Sequence, residues 1–368
     1  MRSNVSARVR RDDTAVTPVR VALVGAGFWA RHAHLPALLA QDDVTVVGVV
    51  DPVVERAQAM AVEHGIPYVG TTLPGLIVAQ QPDLLVIAAP TAAHADLVTQ
   101  ALESGVAVLC EKPLAHSVHA AAHLVALVEA TPVPCSVGYA FRYAPALQAL
   151  KRDVDRGALG EPWLLELFEY NAQFHPANHK LPGWKGDPAQ VQAGALLEYG
   201  SHIIDLAAWL AGPITGVQCA LAEVLPGAQV DDIATLQLRF GAPAIGVLVA
   251  GWVLSGSRPG ITVRFHGKEG LAEACLSEAL PGGQAYRRFS LAGVAEEVAI
   301  EPVDHPAWEY ARRQSADLVR LLRGEGPFYA ATLPSLRDGL AVQQVIEAAL
   351  AAADRWTPVA GAPGSKLA

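Results

Sequence analysis

Val21-Ala-Leu-Val-Gly25-Ala-Gly27-Phe-Trp-Ala30 runs from an apolar, β-branched segment through a glycine turn into the start of a helix. With Val19 and Arg20 in front, Val19–Val24 reads as a buried strand. Gly25 permits the tight turn, Gly27 leaves the backbone bare where a phosphate would approach, and Ala30 stands as a small residue where helix meets strand. The helix expected over about residues 30–40 aims its unpaired N–H groups at the same spot. This is the pattern of a βαβ unit whose first turn holds a dinucleotide pyrophosphate. It puts Phe28 and Trp29, directly after Gly27, in the cofactor-contacting segment.

The same rhythm continues outward. Val44–Val50 is a second β-branched run ending at Asp51, where a carboxylate accepts hydrogen bonds from an adenosine ribose and repels a 2′-phosphate. NAD is therefore favoured over NADP, with Arg56 as the nearby cation that keeps NADP open; the competing reading of Asp51 is a helix cap before Pro52. Residues 53–64 read as helix, stopped by Gly65 and Pro67, and Leu84–Ala88 as strand. Pro90, Thr91 and His94 follow, on a loop and a helix over about 93–103. Loops at the carboxyl ends of parallel strands are where ligands bind, so these three residues are candidate cofactor contacts, although Thr91 also suits a cap and His94 a helix surface. Val106–Cys110 is the next strand and about 117–129 the next helix. Short apolar strands with helices between them imply a parallel, doubly wound sheet.

Glu111-Lys112-Pro113 closes the Val106–Cys110 strand. A lysine fixed at the end of a buried strand, with proline stiffening the backbone after it, is a candidate catalytic group for hydride transfer. Cys110 beside it reads as a small buried apolar residue.

After about residue 138 the pattern changes. A helix over about 144–156, a strand over Trp163–Tyr170, a proline- and glycine-rich loop over 171–192 and a helix over 194–211 come first. Strand-like runs then recur at about 214–223, 232–239, 244–253, 261–266, 271–275 and 297–301 without long helices between them, before helices at about 306–323 and 334–353. These imply an α+β domain with a mostly antiparallel or mixed sheet. The expected division is a tail over 1–18, a dinucleotide-binding domain over 19–137, a substrate and oligomerisation domain over 138–356, and a second tail over 357–368.

Within Gly194–Asp205, Glu198 and His202 are four residues apart and His202 and Asp205 three, so an ideal helix puts all three on one face. Flanking carboxylates orient a histidine ring, fix its tautomer and raise its basicity, which suits proton transfer to and from a hydroxyl. The competing reading is a partly buried histidine in a salt-bridged helix. His175, Trp184 and Lys185 lie in the loop before it and are candidate substrate-pocket residues. His175 and His179 are four apart, but Pro176 argues against one helical face, and they are not read as metal ligands.

Composition narrows the class. The 368 residues are 52% hydrophobic and 17% charged, enough for two folded domains. A net charge of -9 with no long basic run argues against nucleic acid as the main partner. The four cysteines lie far apart at Cys110, Cys135, Cys219 and Cys275, without metal spacing, which suggests reduced thiols in the cytoplasm. No apolar run is long enough for a membrane span, and the arginine-rich N-terminus reads neither as a signal peptide nor as a twin-arginine signal.

Taken in order, Gly25-Ala-Gly27, Asp51-Pro52, Pro90-Thr91 to His94, Glu111-Lys112-Pro113, Gly138-Tyr-Ala-Phe-Arg142-Tyr, Gly194 to Asp205 and the closing Leu336-Arg-Asp-Gly-Leu-Ala-Val-Gln-Gln-Val-Ile-Glu segment make the chain resemble the Gfo/Idh/MocA family from about residue 19 to 355. The resemblance implies an N-terminal Rossmann domain and a C-terminal domain with a large open sheet that assembles dimers or tetramers. It implies Lys112 as the catalytic lysine, His202 as the helix histidine, Glu198 in place of the family's aspartate, Asp205 as the later aspartate, and Arg142 as a substrate contact. Glu111 enters as a cofactor contact. The activity it implies is hydride transfer between a nicotinamide and a secondary alcohol or ketone of a sugar, cyclitol or related polyol. His202 would serve as the base, Lys112 as the electrostatic partner, and Glu198 and Asp205 would orient His202 or grip hydroxyls. Two other readings are a redox-neutral lyase or glycosidase that retains its NAD, and a dinucleotide-binding subunit without catalysis.

Overall fold

The computed structural model describes residues 17–131, 133–188, 191–254, 260–303, 306–329 and 333–353. The expected tails fall outside these, except for Thr17 and Pro18.

Six strands form the N-terminal sheet: β1 (Val19–Val24), β2 (Val44–Val50), β3 (Val69–Gly70), β4 (Leu84–Ile87), β5 (Ala107–Cys110) and β6 (Cys135–Val137). All pair in parallel, in the order β3-β2-β1-β4-β5-β6. The chain reverses direction across the sheet between β1 and β4, the place where such folds bind ligands. The strands are mostly apolar because both faces are covered, with Arg20, Thr45 and Ser136 as the polar exceptions. Ala22 and Val24 join one core with Leu73, Leu76, Val98 and Leu102, while Val21 and Leu23 join the other with Leu35, Leu38, Ala57 and Met60. Each fully buried Val or Leu contributes about 1.5–3 kcal/mol.

The helices of this half are α1 (Leu35–Leu39), α2 (Val54–His64), α3 (Leu73–Gln80), α4 (Thr91–Glu103) and α5 (Val118–Ala130). The expected helix over 30–40 opens instead with a π turn, Ala30–His34, and continues as α1 with Pro36 in its first turn. Proline has no N–H to give to the regular ladder, so the hydrogen bonds shift register there. Neither β3, β6 nor α3 is evident in the sequence: the two strands are very short, and Pro74 and Gly75 make the start of α3 resemble a turn.

The second half holds α6 (Pro145–Asp155), α7 (Ser201–Ala211), α8 (Pro306–Leu322) and α9 (Leu336–Ala352) with one eight-stranded sheet. Its strands are β7 (Pro162–Tyr170), β8 (Ile214–Ala222), β9 (Ile233–Phe240), β10 (Ile245–Gly251), β11 (Gly260–Gly267), β12 (Gly270–Leu276), β13 (Gln284–Phe289) and β14 (Ala295–Glu297), in the order β14-β13-β12-β11-β7-β10-β9-β8. Only β7 and β10 pair in parallel; the other neighbours are antiparallel. The expected strand at 297–301 lies earlier, as β14, and β13 was not anticipated because Gln284-Ala-Tyr-Arg-Arg-Phe289 is mostly polar on its half-exposed side. Helices α6, α7 and α9 cover one face. The other face leaves Phe168, Tyr170, Val247, Val249 and Thr262 half-exposed.

The expected change at residue 138 is a change of topology, but the chain crosses back afterwards. Leu318 and Val319 of α8 enter the core beneath β1, and α9 packs along α5. Gln314 of α8 donates to Ser136 Oγ at 2.9 Å and to the Val137 carbonyl at 2.7 Å, tying the returning helix to β6.

Candidate active site

The glycine turn is built as a cradle. Gly25 sits at φ +99°, and a Cβ there would lie 2.5 Å from the Ala88 carbonyl oxygen, so β1 and β4 approach each other only with glycine at this position. A Cβ on Gly27 would meet nothing within 4 Å. Open space beside the first N–H groups of a helix fits a pyrophosphate. Phe28 is 72% exposed and Trp29 39% exposed at the rim, and Phe28 lies tilted against His32 with ring centroids 4.4 Å apart. Asp51 is buried at the end of β2; Oδ2 accepts from Ala26 N–H and Oδ1 from Val53 N–H, each at 2.8 Å. The carboxylate thus braces the glycine turn and starts α2, and each oxygen keeps a lone pair for a ribose hydroxyl. Arg56 is exposed one turn into α2.

Pro90 precedes the first residue of α4, Thr91, which is half-exposed. His94 is buried, with its ring nitrogens 2.8 Å from the carbonyl oxygens of Pro113 and Ala89. Burial pushes its pKa below the usual histidine value. His94 therefore locks the β4 turn to the loop after β5 instead of presenting its polar atoms to the cleft. In that loop the Lys112–Pro113 peptide bond is cis. Glu111 is buried, accepting from the Lys112 N–H at 3.1 Å through Oε2 and lying 2.7 Å from His34 Nε2 through Oε1. A Cβ on Gly138 would sit 3.0 Å from the Glu111 carboxylate, so the bare glycine makes room for it.

The opposing wall comes from the second half. Asp231 holds its entry: Oδ1 and Oδ2 accept from the Gly194 and Leu196 N–H groups at 2.7 Å, and a Cβ on Gly194 would lie 2.0 Å from the Asp231 carbonyl. The expected helix over 194–211 divides into a π turn, Leu196–Gly200, and α7. Lys112 Nζ donates to the Glu198 carbonyl at 2.8 Å and lies 3.6 Å from Glu198 Oε2. Lys185 Nζ donates to Glu198 Oε1 at 2.5 Å. Burial would raise the Glu198 carboxyl, but Lys112 and Lys185 outweigh it and hold it below the usual value. The side chain of Trp184 lies outside the described residues.

His202 is packed edge-on by Phe141 at 4.5 Å and Tyr139 at 6.3 Å between ring centroids. Its Nδ1 is buried without a hydrogen-bond partner, which leaves Nε2 as the ring nitrogen available to a substrate. Burial, reinforced by Lys112 and Lys185, drives its pKa well below the ordinary value, so the ring is neutral near pH 7.

Three expected roles are corrected. Asp205 does not orient His202. It is buried against Arg142, taking Nε at 2.8 Å and Nη2 at 2.5 Å, and Nη2 also reaches Asp338 Oδ1 at 3.0 Å. Burial pushes the Asp205 carboxyl up to about 6 against the pull of Arg142. Arg142, for its part, is sealed in this cluster and has no free face for substrate. Glu198 likewise binds lysines and not the histidine, because the π turn breaks the four-residue alignment that an ideal helix would give. His175 spends Nδ1 on the Ala177 N–H at 3.2 Å, capping the short turn Pro176–Asn178, and its ring remains half-exposed.

Sequence reasoning missed Glu169. It sits on β7 with Leu165 and Leu167 on the helix-covered face, is 8% exposed, and leaves Oε2 without a partner. The alternation of Leu165, Leu167 and Glu169 was the available signal, since it puts a carboxyl in phase with an apolar face.

A family model described as an oxidoreductase family with an NAD-binding Rossmann fold matches residues 19–139, and one for the GFO/IDH/MocA C-terminal domain matches residues 147–273. D-apiose dehydrogenase of Paraburkholderia graminis is 30% identical over 262 residues, covering 70% of this chain and 68% of the relative. The scyllo-inositol 2-dehydrogenase (NAD(+)) of Bacillus subtilis is 28% identical over 200 residues, 53% of this chain and 54% of the relative. Levoglucosan dehydrogenase, solved with NADH and levoglucosan, superposes with a TM-score of 0.79 at 20% identity, over 91% of this chain and 97% of that one, a likeness of fold.

Proposed function

The chain belongs to the Gfo/Idh/MocA family of NAD-binding oxidoreductases, and from that premise we propose that its cleft moves a hydride between a nicotinamide dinucleotide and a CH–OH group of a sugar, cyclitol or related polyol. The observation that carries this reading is the meeting of Lys112, from the end of β5, with Glu198 and the α7 wall that bears His202.

The turn at Gly25 and Gly27 and the first helical N–H groups would hold the pyrophosphate, and Asp51 the adenosine ribose. The buried Asp51 carboxylate favours NAD over NADP, since a 2′-phosphate there meets a like charge. When bound, the nicotinamide supplies the hydride acceptor or donor. His202, neutral and with Nε2 free, takes the hydroxyl proton in oxidation and returns it in reduction. Lys112 places an ammonium where negative charge grows on the substrate oxygen. Glu198 holds Lys112 in position, and Lys185 brings the 183–186 turn over the cleft by the same carboxylate.

Assembly through the open face of the eight-stranded sheet, as a homodimer or homotetramer, is part of the proposal. The half-exposed Phe168, Tyr170, Val247 and Val249 support it. So is a cytoplasmic setting, supported by four cysteines that lie far apart in the sequence and lack metal-ligand spacing. No helix among the described residues is long and apolar enough to cross a membrane.

The test is to titrate NADH and NADPH separately, following quenching of tryptophan fluorescence, and then to assay NAD+ reduction with scyllo-inositol, levoglucosan and D-apiose. Tight binding of NADH and turnover of one such polyol is expected. If neither nucleotide binds, the dehydrogenase reading fails.

A further inference from the structure

Glu169 is a buried carboxyl in the cleft wall that the steps above leave idle. Its neighbours across the sheet, Ala250 on β10 and Ile261 on β11, carry no charge. The charged groups facing it come from other elements. Lys112, after β5, attracts its anion; Glu198, on the π turn, repels it; and Tyr199 on that turn also feels its charge. Beyond them, Lys185 reaches the Glu198 carboxylate, and His202 feels the charges of both Lys112 and Lys185. Lys112 already gives a hydrogen bond to the Glu198 carbonyl, and Glu169 Oε2 receives none. Burial accordingly raises the Glu169 pKa well above the ordinary carboxyl value. A buried carboxyl without a donor keeps its proton until a new positive charge arrives nearby.

The two forms of a nicotinamide differ in that charge: the oxidised ring is a cation and the reduced ring is neutral. Resting on the dehydrogenase reading, we propose that Glu169 balances the charge of the nicotinamide ring, holding a proton in the empty and NADH-loaded protein and releasing it when NAD+ binds. The step balances. On NAD+ binding, the Glu169 O–H bond breaks, the electron pair stays on the carboxylate and the proton goes to solvent. In oxidation, the substrate C–H leaves with its electron pair for the ring and the hydroxyl proton goes to His202. The ring is then neutral, the carboxylate loses its counter-charge, and Glu169 takes up the proton that the buried His202 holds poorly. The cleft thus stores the proton of the reaction until the next NAD+ enters.

The experiment is calorimetric titration of the full chain with NAD+ and with NADH, in buffers of different ionisation enthalpy across a pH series, to count protons released. NAD+ is expected to release about one proton and NADH none, and NAD+ affinity to climb about tenfold per pH unit until Glu169 is ionised. Glu169→Gln, which keeps the shape of the side chain, is expected to abolish the release and flatten that slope while leaving NADH binding unchanged. Equal proton counts for NAD+ and NADH in the unaltered protein, or release persisting in Glu169→Gln, overturn the proposal alone. Failure of both nucleotides to bind overturns the cofactor reading and this proposal together.

Discussion

Lys112 and Glu198 join across the two sheets of the protein: the lysine Nζ at the end of β5 donates to the Glu198 carbonyl at 2.8 Å, and the Glu198 carboxylate returns the contact at 3.6 Å. A backbone acceptor fixes the ammonium more firmly than a mobile side chain would. The Lys112 head group is therefore positioned before substrate arrives, the condition under which a charge stabilises a developing oxyanion.

Lys112→Ala and His202→Ala are each expected to lower kcat by about 100-fold or more, the scale of a lost charge stabiliser or proton carrier. NADH affinity, read by tryptophan quenching, should hardly change. Full activity in either variant rejects its assigned role.

The pH profile should follow the sign of the His202 shift. Its folded-state value lies below the unfolded value of about 6.5, so the neutral base persists as pH falls past that point and the acid limb of kcat/KM lies lower. Lys185→Met removes one of the charges that depress it, and the limb should move to higher pH. The same shift makes the neutral ring a loss of stability as pH drops below the unfolded value, because only the unfolded chain takes the proton there. A limb that stays put in Lys185→Met contradicts this account.

Gly27→Ala and Gly194→Ala should part company. A methyl group on Gly27 enters open space, so thermal stability stays near that of the parent while NADH affinity falls. On Gly194 it would lie 2.0 Å from the Asp231 carbonyl, and unfolding should become easier by about 1–3 kcal/mol. Thermal melts with and without NADH separate the two cases.

Arg142→Met should destabilise the protein by about 3 kcal/mol in urea titrations, because it leaves the buried Asp205 carboxylate without its partner. Adding Asp205→Leu should restore much of that loss. Additive losses instead would mean that the two residues do not act as a pair.

How far the sequence could be read followed from how local each determinant is. The glycine turn, Asp51 and the Glu111-Lys112-Pro113 segment are fixed by adjacent residues, and the doubly wound sheet follows from alternating apolar runs. Arg142 and Asp205 are 63 residues apart in the chain, so helical spacing assigned the aspartate to His202 when a distant guanidinium holds it. The π turn at Leu196–Gly200 conforms to the sheet beneath it, which no count of residues between Glu198 and His202 discloses. Glu169 was legible in the alternation of its strand, yet meaningful only once Lys112 stood near it.

The return of α8 and α9 to the first sheet works as a suture. Gln314 holds β6, Leu318 and Val319 lie under β1, and Gln41 Nε2 reaches Ser315 Oγ at 2.9 Å, so the last part of the chain closes the core that the first part began. Cutting the gene at the apparent domain boundary would yield a nucleotide-binding half with an open seam. The seam also restrains the halves from swinging apart like jaws. Within the second half the Lys185–Glu198 ion pair adds a further stitch, tying the 183–186 turn to the wall that bears His202.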